Sequence, residues 1–449
     1  MWLRVALDDH ASGLDVPFPT QDRPTERLLH NRVSSVDYVL NRSRPAENRF
    51  DQRLCGLEVY PAAHRPSEEA ILDVATKLTR WDAIYFIQSA RRGHVFEQEW
   101  AFGLALPSVI SFLVKGITGF GIENTGGLES TVGIVLAHLS HLLSVLALYH
   151  LGLKLYGERR LAFVSALLHV LSPAGLFLSA PYNESPFSFL SFVGYLLFAQ
   201  GCLDKSRGQL GDAAIVGSGI IFGLATAFRS NGLLNGIPFA IYSVVELRQF
   251  LKSPNTVSLR RLAAFGIGGQ SIALGSIGPQ ALAYEIFCSE LSDAEPRPWC
   301  NKLIPSIYTF VQERYWNVGF LRYWTPGNIP LFLLAAPMIY LLIKSAWDML
   351  IAISTTAGRR RTDSSVPSDS SMLIAAMALS QLVLATSAVT TYHIQVITRI
   401  SSGYPLWYFW LAQKLSAPVT SKTASGVVTY MVMYAAIQGA LFASFLPPA

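Results

Sequence analysis

Long apolar stretches separated by short polar segments dominate the sequence from residue 131 to its end. A helix needs about 20 mostly apolar residues to cross a bilayer, and several of these stretches are shorter than that. Their number nevertheless predicts about ten membrane-spanning helices. Residues 131–449 are therefore predicted to form the membrane body of an all-α polytopic membrane protein. The stretches cover residues 131–153, 161–180, 186–203, 213–228, 233–247, 262–287, 328–350, 372–391, 404–412 and 426–446.

The first 130 residues differ from this body. Residues 1–77 are polar and contain no apolar run long enough for a signal peptide or a span. They predict a disordered tail, or a gene-model error in place of a first membrane helix. Residues 101–120 form a shorter apolar stretch that Pro107 and Gly116 interrupt. Since its length suits a span or an interfacial or re-entrant helix, residues 78–130 are predicted to form a loop region at the membrane surface.

The composition supports a membrane protein. Of the 449 residues, 51% are hydrophobic and only 14% are charged, whereas about a quarter are charged in soluble domains. The net charge of +5 is small and the basic residues lie in short connecting segments, so no nucleic-acid surface is expected. A transporter or lipid scramblase would also have many spans. It should carry charges near the bilayer midplane, whereas most charges here lie between the apolar stretches.

Basic residues mark every second connecting segment, and the positive-inside rule assigns these segments to the cytosol. One of them is a Ser-rich linker at 355–371. The intervening segments then face the lumen of the secretory pathway, and they carry Asp82, the sequon at Asn183, Arg399, and Cys288 and Cys300, which could form a disulfide within one loop. The basic residues are Lys154, Arg159, Arg160, Lys205, Arg207, Arg248, Lys252, Arg260, Arg261 and Arg359 to Arg361.

The candidate chemistry is concentrated in Leu78–Trp100, directly before the membrane body. A carboxylate at a membrane surface is costly to desolvate unless it is used or paired. Asp82 is therefore either a general base for an attacking hydroxyl or the partner of Arg80 in a surface ion pair. Glu97 and Glu99 are two positions apart, so they share a face only on a strand. One of them would assist Asp82 or orient an acceptor, and at least one is expected to be a solvated loop acid.

Two arginines near polar blocks are candidates to bind phosphate, because a guanidinium can bind two phosphate oxygens. Arg229 is followed by Asn231, which offers further hydrogen bonds, and Arg399 shares a block with His393, a further candidate phosphate contact. An arginine near a helix end also commonly anchors the helix at the interface, and a lone histidine is more often structural. The sequence leaves both interpretations open.

Asn183 is a glycosylation site or a polar contact for an acceptor, and the nearby Pro181 and membrane favour the second interpretation. The sequence has no Asp-X-Asp motif of the kind that holds a nucleotide sugar through a divalent ion, so neither a metal nor another cofactor is expected. Four aromatic residues either stack on sugars or form an interfacial belt. They are Tyr315, Trp316, Tyr323 and Trp324.

Several blocks occur in one order from residue 78 to the end. They are LTRWDAIYF at 78–86, FEQEWAF at 96–102, FLSAPYNESPFSFL at 177–190, FRSNGLL at 228–234, YWNVGFLRYW at 315–324, FLLAAP at 332–337 and HIQVITRISSGYPLWYF at 393–409. Together they resemble the GPI mannosyltransferase 2 family. The resemblance implies a GT-C-type fold in the endoplasmic reticulum membrane with a lumenal site, in which 78–130 is the catalytic loop. It marks Asp82 as the catalytic carboxylate, with Arg80 and Trp81 as candidate substrate contacts.

The resemblance also implies a reaction. The donor would be dolichyl phosphate mannose, and the acceptor would be the first mannose of the GPI precursor lipid, joined in α-1,6 linkage. Since this donor is β-linked and the product is α-linked, the transfer would invert the anomeric carbon in one displacement. Another dolichyl-phosphate-sugar glycosyltransferase with a different acceptor is the alternative. The resemblance further implies a small membrane partner subunit, as in fungal members of the family.

Overall fold

The computed structural model describes residues 73–121, 124, 127–204, 208–289, 297–356 and 370–446. The predicted polar tail lies almost wholly outside these ranges, as does most of the predicted linker at 355–371. Within them every regular element is a helix and no strand occurs, which confirms the predicted all-α class.

From Asp82 onward, fourteen α-helices of the described residues carry the fold, and residues 73–78 before them are also helical. Short 3-10 helices connect several of the fourteen, including Glu97–Phe102 and Ser230–Asn235. In chain order the α-helices are α1 (Asp82–Arg92), α2 (Ala105–Gly119), α3 (Leu128–Tyr156), α4 (Arg159–Val170), α5 (Glu184–Leu203), α6 (Gly208–Phe228), α7 (Gly236–Lys252), α8 (Thr256–Cys288), α9 (Ile307–Trp316), α10 (Ile329–Thr356), α11 (Ser371–Thr390), α12 (Ile397–Ile400), α13 (Leu406–Ser416) and α14 (Ser421–Ala443).

Six helices of the described residues are long and apolar enough to cross a membrane, namely α3, α5, α6, α10, α11 and α14. The chain is thus a polytopic membrane protein, but the predicted number of about ten spans is not confirmed. Two predicted spans contain short helices instead. α4 has 12 residues and stops before Pro173, which lacks the N–H needed to continue the helix, and α13 has 11 residues. The stretch at 101–120 contains α2, a 15-residue apolar helix.

Glycines allow α6 to pack closely against α8. A Cβ added at Gly219 of α6 would lie 2.2 Å from the Cα of Gly268 in α8. One added at Gly275 of α8 would lie 2.1 Å from the carbonyl oxygen of Gly223 in α6. Small residues at helix contacts let backbones approach each other in membrane proteins. This contact fixes the end of α6, which carries part of the candidate site.

Gly219→Ala is expected to lower the free energy of unfolding by about 1–3 kcal/mol, because the added methyl group would overlap the backbone of α8. Gly217→Ala on the same helix is a matched control, since its Cβ would meet Leu197 Cδ1 only at 3.9 Å. Thermal unfolding of the purified protein in detergent measures both variants. Equal melting temperatures for the two would contradict the close contact.

The helical body has one basic end. Lys154 near the end of α3 pairs with Asp204, which follows α5, and Arg261 near the start of α8 donates to the carbonyl oxygen of Gly201 at 3.1 Å. α5 begins at the other end of the body with Glu184. The basic residues and the start of α5 therefore lie at opposite ends, which agrees with the predicted alternation of the connecting segments.

Candidate active site

A cavity of about 450 Å³ lies where α1, the Glu97–Phe102 turn, the end of α6 and residues 392–400 meet. Most of the site residues predicted from the sequence line it, although they lie far apart along the chain. Arg80, Glu97 and Glu99 are not among the lining residues. The predicted residues that line the cavity are Trp81, Asp82, Asn183, Arg229, Asn231, His393 and Arg399.

Ion pairs connect four charged residues beside this cavity. Arg399 donates from Nη1 to Oδ2 of Asp82 at 3.1 Å and from Nε to Oε1 of Glu184 at 2.8 Å. Arg229 donates from Nη1 to the same Oε1 at 2.8 Å. With two carboxylates and two guanidinium groups, the four residues have no net charge when all are ionised. Below, they are called the charged quartet.

Asp82 is positioned to act on a substrate. It is the first residue of α1, where the positive end of the helix dipole favours a carboxylate, and its side chain is 37% exposed. Arg399 binds Oδ2, whereas Oδ1 accepts no hydrogen bond from the described residues. One oriented carboxylate oxygen is therefore free to take a proton from a bound hydroxyl group.

Arg80 does not pair with Asp82, so the predicted Arg80–Asp82 ion pair is wrong. The Nη1 group of Arg80 instead donates to the carbonyl oxygens of Phe442 and Ala443 at the end of α14. Arg399 is the partner of Asp82 and comes from a distant segment. The sequence favoured Arg80 as the partner, because Arg80 lies only two positions before Asp82 along the chain.

Trp81 links the same motif to the end of α14. Its ring stacks on Phe445 with centroids 5.2 Å apart and planes 19° apart. Its φ is 56°, a region that non-glycine residues rarely adopt and that surrounding contacts must hold in place. Because Trp81 directly precedes Asp82, the stacking on Phe445 helps to fix the backbone from which the carboxylate projects.

Phe445→Ala is expected to reduce enzymatic turnover about 2- to 12-fold, which corresponds to the loss of about 0.5–1.5 kcal/mol of aromatic stacking. The neighbouring variant Leu446→Ala is the control, since the ring of Phe445 and not this side chain stacks on Trp81. Turnover at saturating substrate measures the effect in both variants. Equal turnover in the two would show that the stacking does not position Asp82.

Glu97 and Glu99 bind the protein itself. They are 8% and 2% exposed, so the prediction that at least one is a solvated loop acid is wrong. Glu99 pairs with Arg92 and accepts two backbone N–H groups at 2.8 and 3.0 Å, while Oε1 of Glu97 accepts Nε1 of Trp299 at 2.9 Å. These partners hold the turn that forms one wall of the cavity. A catalytic role for either glutamate stays a prediction.

A disulfide supports the same wall. Cys288 at the end of α8 is bonded to Cys300, with Cα atoms 5.6 Å apart. The adjacent Trp299 is fully buried and donates to Glu97. The disulfide therefore holds the segment of Trp299 beside the Glu97–Phe102 turn.

Three further predicted residues contribute polar groups to the cavity wall. Asn183 is 3% exposed and donates from Nδ2 to the carbonyl oxygen of Phe102 at 2.8 Å, which leaves no room for a glycan on the folded chain. Asn231 accepts a hydrogen bond from Nε of Arg229 at 3.3 Å. Burial lowers the pKa of His393, against the opposing effect of Asp82, so its imidazole is neutral at neutral pH.

The four aromatic candidates divide between the cavity and other contacts. Trp316 lines the cavity and has an edge-to-face contact with His393. The other three residues donate hydrogen bonds to the protein. The hydroxyl of Tyr315 donates to Glu97, that of Tyr323 to Gln395, and the indole N–H of Trp324 to the carbonyl oxygen of Val389.

Comparison with known proteins identifies the family. The sequence matches the family Mannosyltransferase (PIG-V) over residues 66–449. The chain belongs to this family. GPI mannosyltransferase 2 of Chaetomium globosum is 50% identical over 416 residues, covering 86% of this chain and 87% of the relative. The protein of that name from Gibberella zeae is 46% identical (84% and 86% covered), and GPI alpha-1,6-mannosyltransferase 2 of Rattus norvegicus is 31% identical (75% and 73% covered).

Among solved structures, this PIG-V family chain is similar to the oligosaccharyltransferase of Archaeoglobus fulgidus, with a TM-score of 0.39 and 12% sequence identity. The similarity covers 76% of this chain and 46% of that protein. The chain thus spans about half the length of the oligosaccharyltransferase. Assignment to the GT-C type stays a prediction from the family resemblance.

Glu184 was not among the site residues predicted from the sequence, although it lies at the centre of the charged quartet in this PIG-V family chain. Its side chain is fully buried, and Oε1 accepts both arginines. In the sequence, Glu184 stands in the middle of the Asn183 sequon and directly before an apolar stretch. A carboxylate at the start of a membrane span is rare unless it is paired, and that signal would have identified it.

Proposed function

We propose that this member of the PIG-V family adds mannose in α-1,6 linkage to the first mannose of a GPI anchor precursor, with dolichyl phosphate mannose as the donor. The observation that carries the proposal is the carboxylate of Asp82, which Arg399 orients through one oxygen beside a cavity lined by two arginines. The cavity volume of about 450 Å³ is in the range of small-molecule sites. The name of the rat relative, GPI alpha-1,6-mannosyltransferase 2, supports the α-1,6 linkage and a GPI lipid as the acceptor.

Asp82 acts as the general base in this reaction. The mannose is β-linked to phosphate in the donor and α-linked in the product, so the acceptor hydroxyl attacks the anomeric carbon from the face opposite to the phosphate. The bond from the acceptor oxygen to the anomeric carbon forms as the bond to the phosphate oxygen breaks. Oδ1 of Asp82 takes the hydroxyl proton, and the negative charge of the carboxylate favours the positive charge that develops on the sugar ring.

The two arginines of the charged quartet receive the leaving group. The phosphate takes the electron pair of the broken bond and changes from a singly charged diester to a monoester that can carry two charges. Arg229 and Arg399 both line the cavity, and guanidinium groups stabilise charge that develops on phosphate oxygens. In this proposal, the pairing with Glu184 keeps both groups at the cavity before the donor arrives.

The location of the charges favours an enzyme over a transporter. Glu184 is the first residue of α5 and Arg229 directly follows α6, so both lie at helix ends and not near the middle of a span. A transporter would instead need ionisable groups near the bilayer midplane. We propose that this end of the body faces the lumen of the endoplasmic reticulum and that the basic end faces the cytosol.

The partners in the proposal are two lipids and a protein. The donor and the GPI precursor both reach the site from the membrane, and a small membrane subunit assists the chain, as in the fungal family members that it resembles. Among the described residues, no group of three or more His, Cys, Asp or Glu side chains could hold a metal ion. Transfer without a metal or another cofactor is part of the proposal, and activity in the presence of a chelator tests it.

Mannose transfer in membranes tests the proposed function. Membranes are prepared from cells that lack the endogenous second GPI mannosyltransferase and express this chain, and they receive labelled dolichyl phosphate mannose and the one-mannose GPI precursor. We expect a two-mannose product whose new linkage is cut by an α-1,6-specific mannosidase. Transfer to a different lipid-linked acceptor, or from a different dolichyl phosphate sugar, would replace the proposal with the alternative reaction. Absence of any transfer by a correctly inserted chain would overturn it.

A further inference from the structure

Glu184 is buried at a position where an ionised group is costly. It begins a candidate membrane span and is 0% exposed, and its Oε2 has no hydrogen-bond partner among the described residues. Burying a carboxylate is strongly unfavourable unless charged partners offset the lost hydration. Oε1 accepts Nη1 of Arg229 and Nε of Arg399, each at 2.8 Å, and these two guanidinium groups supply the compensation.

The carboxylate does not line the cavity, whereas both of its arginine partners do. Glu184 therefore lies behind the arginines and can affect a bound substrate only through them. Two guanidinium groups repel each other, and a shared acceptor oxygen allows them to remain close. Arg399 is also held over the rings of Phe177 and Tyr182, at 4.3 and 4.8 Å from the ring centroids. The arginines are thus oriented before any phosphate binds.

The charge of the quartet changes during the proposed reaction. Before transfer, the two carboxylates balance the two guanidinium groups. When Asp82 takes the proton of the acceptor hydroxyl, the quartet has one net positive charge. In the same step the leaving phosphate gains one negative charge. The quartet therefore attracts phosphate most strongly just after transfer, and the attraction falls when Asp82 releases its proton.

We infer that Glu184 is a positioning residue with two effects on the phosphate subsite. It holds Arg229 and Arg399 side by side, and it offsets one of their charges so that the lipid phosphate product can leave. This inference rests on the proposed function for the identity of the lipid. Without Glu184 the quartet would have one net positive charge before the reaction and two after it, so the phosphate product would be retained.

Two substitutions separate charge from position. Glu184→Gln keeps an acceptor oxygen but removes the charge, so dolichyl phosphate is expected to inhibit about tenfold more strongly, with slower turnover. Glu184→Asp keeps the charge but has a shorter side chain that cannot reach both arginines in the same geometry. Its turnover should fall, and inhibition by dolichyl phosphate should stay near that of the parent. The control is Glu129→Gln, which removes a buried carboxylate paired with Arg91 outside the cavity.

The experiment measures turnover, the KM for the donor and the inhibition constant of dolichyl phosphate for the parent and the three variants. Equilibrium binding of radiolabelled dolichyl phosphate to each purified protein in detergent is measured in parallel. Unchanged or weaker binding of the phosphate by folded Glu184→Gln would overturn the charge effect, and parental turnover in Glu184→Asp would overturn the positioning effect. If Glu184→Gln does not fold, turnover and inhibition in Glu184→Asp still decide between positioning and a purely structural role.

The binding measurement also distinguishes this inference from the proposed function. If the parent binds dolichyl phosphate but transfers no mannose, the proposed function fails while the expected tightening in Glu184→Gln can still be measured. If the parent transfers mannose and Glu184→Gln binds the phosphate no more tightly, the inference fails and the function stands. If Glu129→Gln tightens binding as much as Glu184→Gln, the effect is a general one of charge and the inference also fails.

Discussion

Asp82→Asn is expected to reduce the turnover number for mannose transfer about 100-fold to 10,000-fold, the usual contribution of a positioned general base. Asparagine has nearly the same shape and can still accept the hydrogen bond from Arg399 through its amide oxygen. It cannot take a proton from the attacking hydroxyl at neutral pH. The KM for the donor should change little, because the cavity and its arginines are retained. Steady-state kinetics in membranes that contain equal amounts of each protein measure both constants.

Glu97→Gln and Glu99→Gln are the matched controls, because each also neutralises a carboxylate of the same loop region. Both glutamates are buried and bonded to protein groups, so these variants should lower the melting temperature more than they lower turnover. Asp82 is more exposed, and its replacement should affect stability less. If Asp82→Asn retains parental turnover and one of the glutamate variants loses it, the general base is that glutamate and the assignment of Asp82 is wrong.

Much of the membrane body could be predicted from the sequence, because an apolar stretch is a property of consecutive residues. The stretches at 186–203 and 372–391 correspond closely to α5 and α11, which meet the length and composition of membrane spans. Two other predicted stretches contain the short helices α4 and α13. Hydrophobicity indicates that a segment avoids water. It does not distinguish a helix that crosses the lipid bilayer from a short helix that is packed inside the protein. The predicted number of about ten spans is therefore not confirmed.

The candidate site was only partly predictable because its contacts join distant positions. Asp82 and Arg399 are 317 positions apart, and Arg399 and Glu184 are 215 apart. The alternation of basic segments predicts that Asp82, Glu184 and Arg399 lie on one side of the membrane. It does not predict which of their side chains are in contact. The family resemblance selected Asp82, whereas the partner of Asp82 could be identified only from the folded chain.

The two loop glutamates show the same limit. Glu97 is bonded to Trp299, 202 positions away, beside a disulfide that the sequence only suggested. Glu99 closes its own turn by accepting backbone N–H groups. In the sequence, both are acids a short distance after Asp82, so they too are candidate catalytic residues. Only the burial and the hydrogen-bond partners in the folded chain distinguish these two structural carboxylates from Asp82, which has a free carboxylate oxygen.

Arg399→Gln is expected to give the second large effect, because this residue joins both carboxylates of the charged quartet. Its removal leaves Glu184 buried with one cationic partner and leaves Asp82 without its orienting contact. Breaking a buried ion pair on one side costs about 3–5 kcal/mol, so the melting temperature should fall clearly. Turnover should fall at least about 100-fold, since a misplacement of about 1 Å can have that effect on a reacting group.

Arg399→Lys separates the charge of this residue from its shape. Lysine retains the positive charge but has no planar fork, so it cannot donate to Asp82 and Glu184 in the two directions that Arg399 uses. We expect this variant to recover part of the stability that Arg399→Gln loses but little of the turnover. Arg322→Gln, which removes an exposed ion pair with Glu313, is the control and should match the parent in both measurements. Full turnover in Arg399→Lys would show that the site needs only a cation at this position, and Asp82 would then be oriented by the start of α1 and by Trp81.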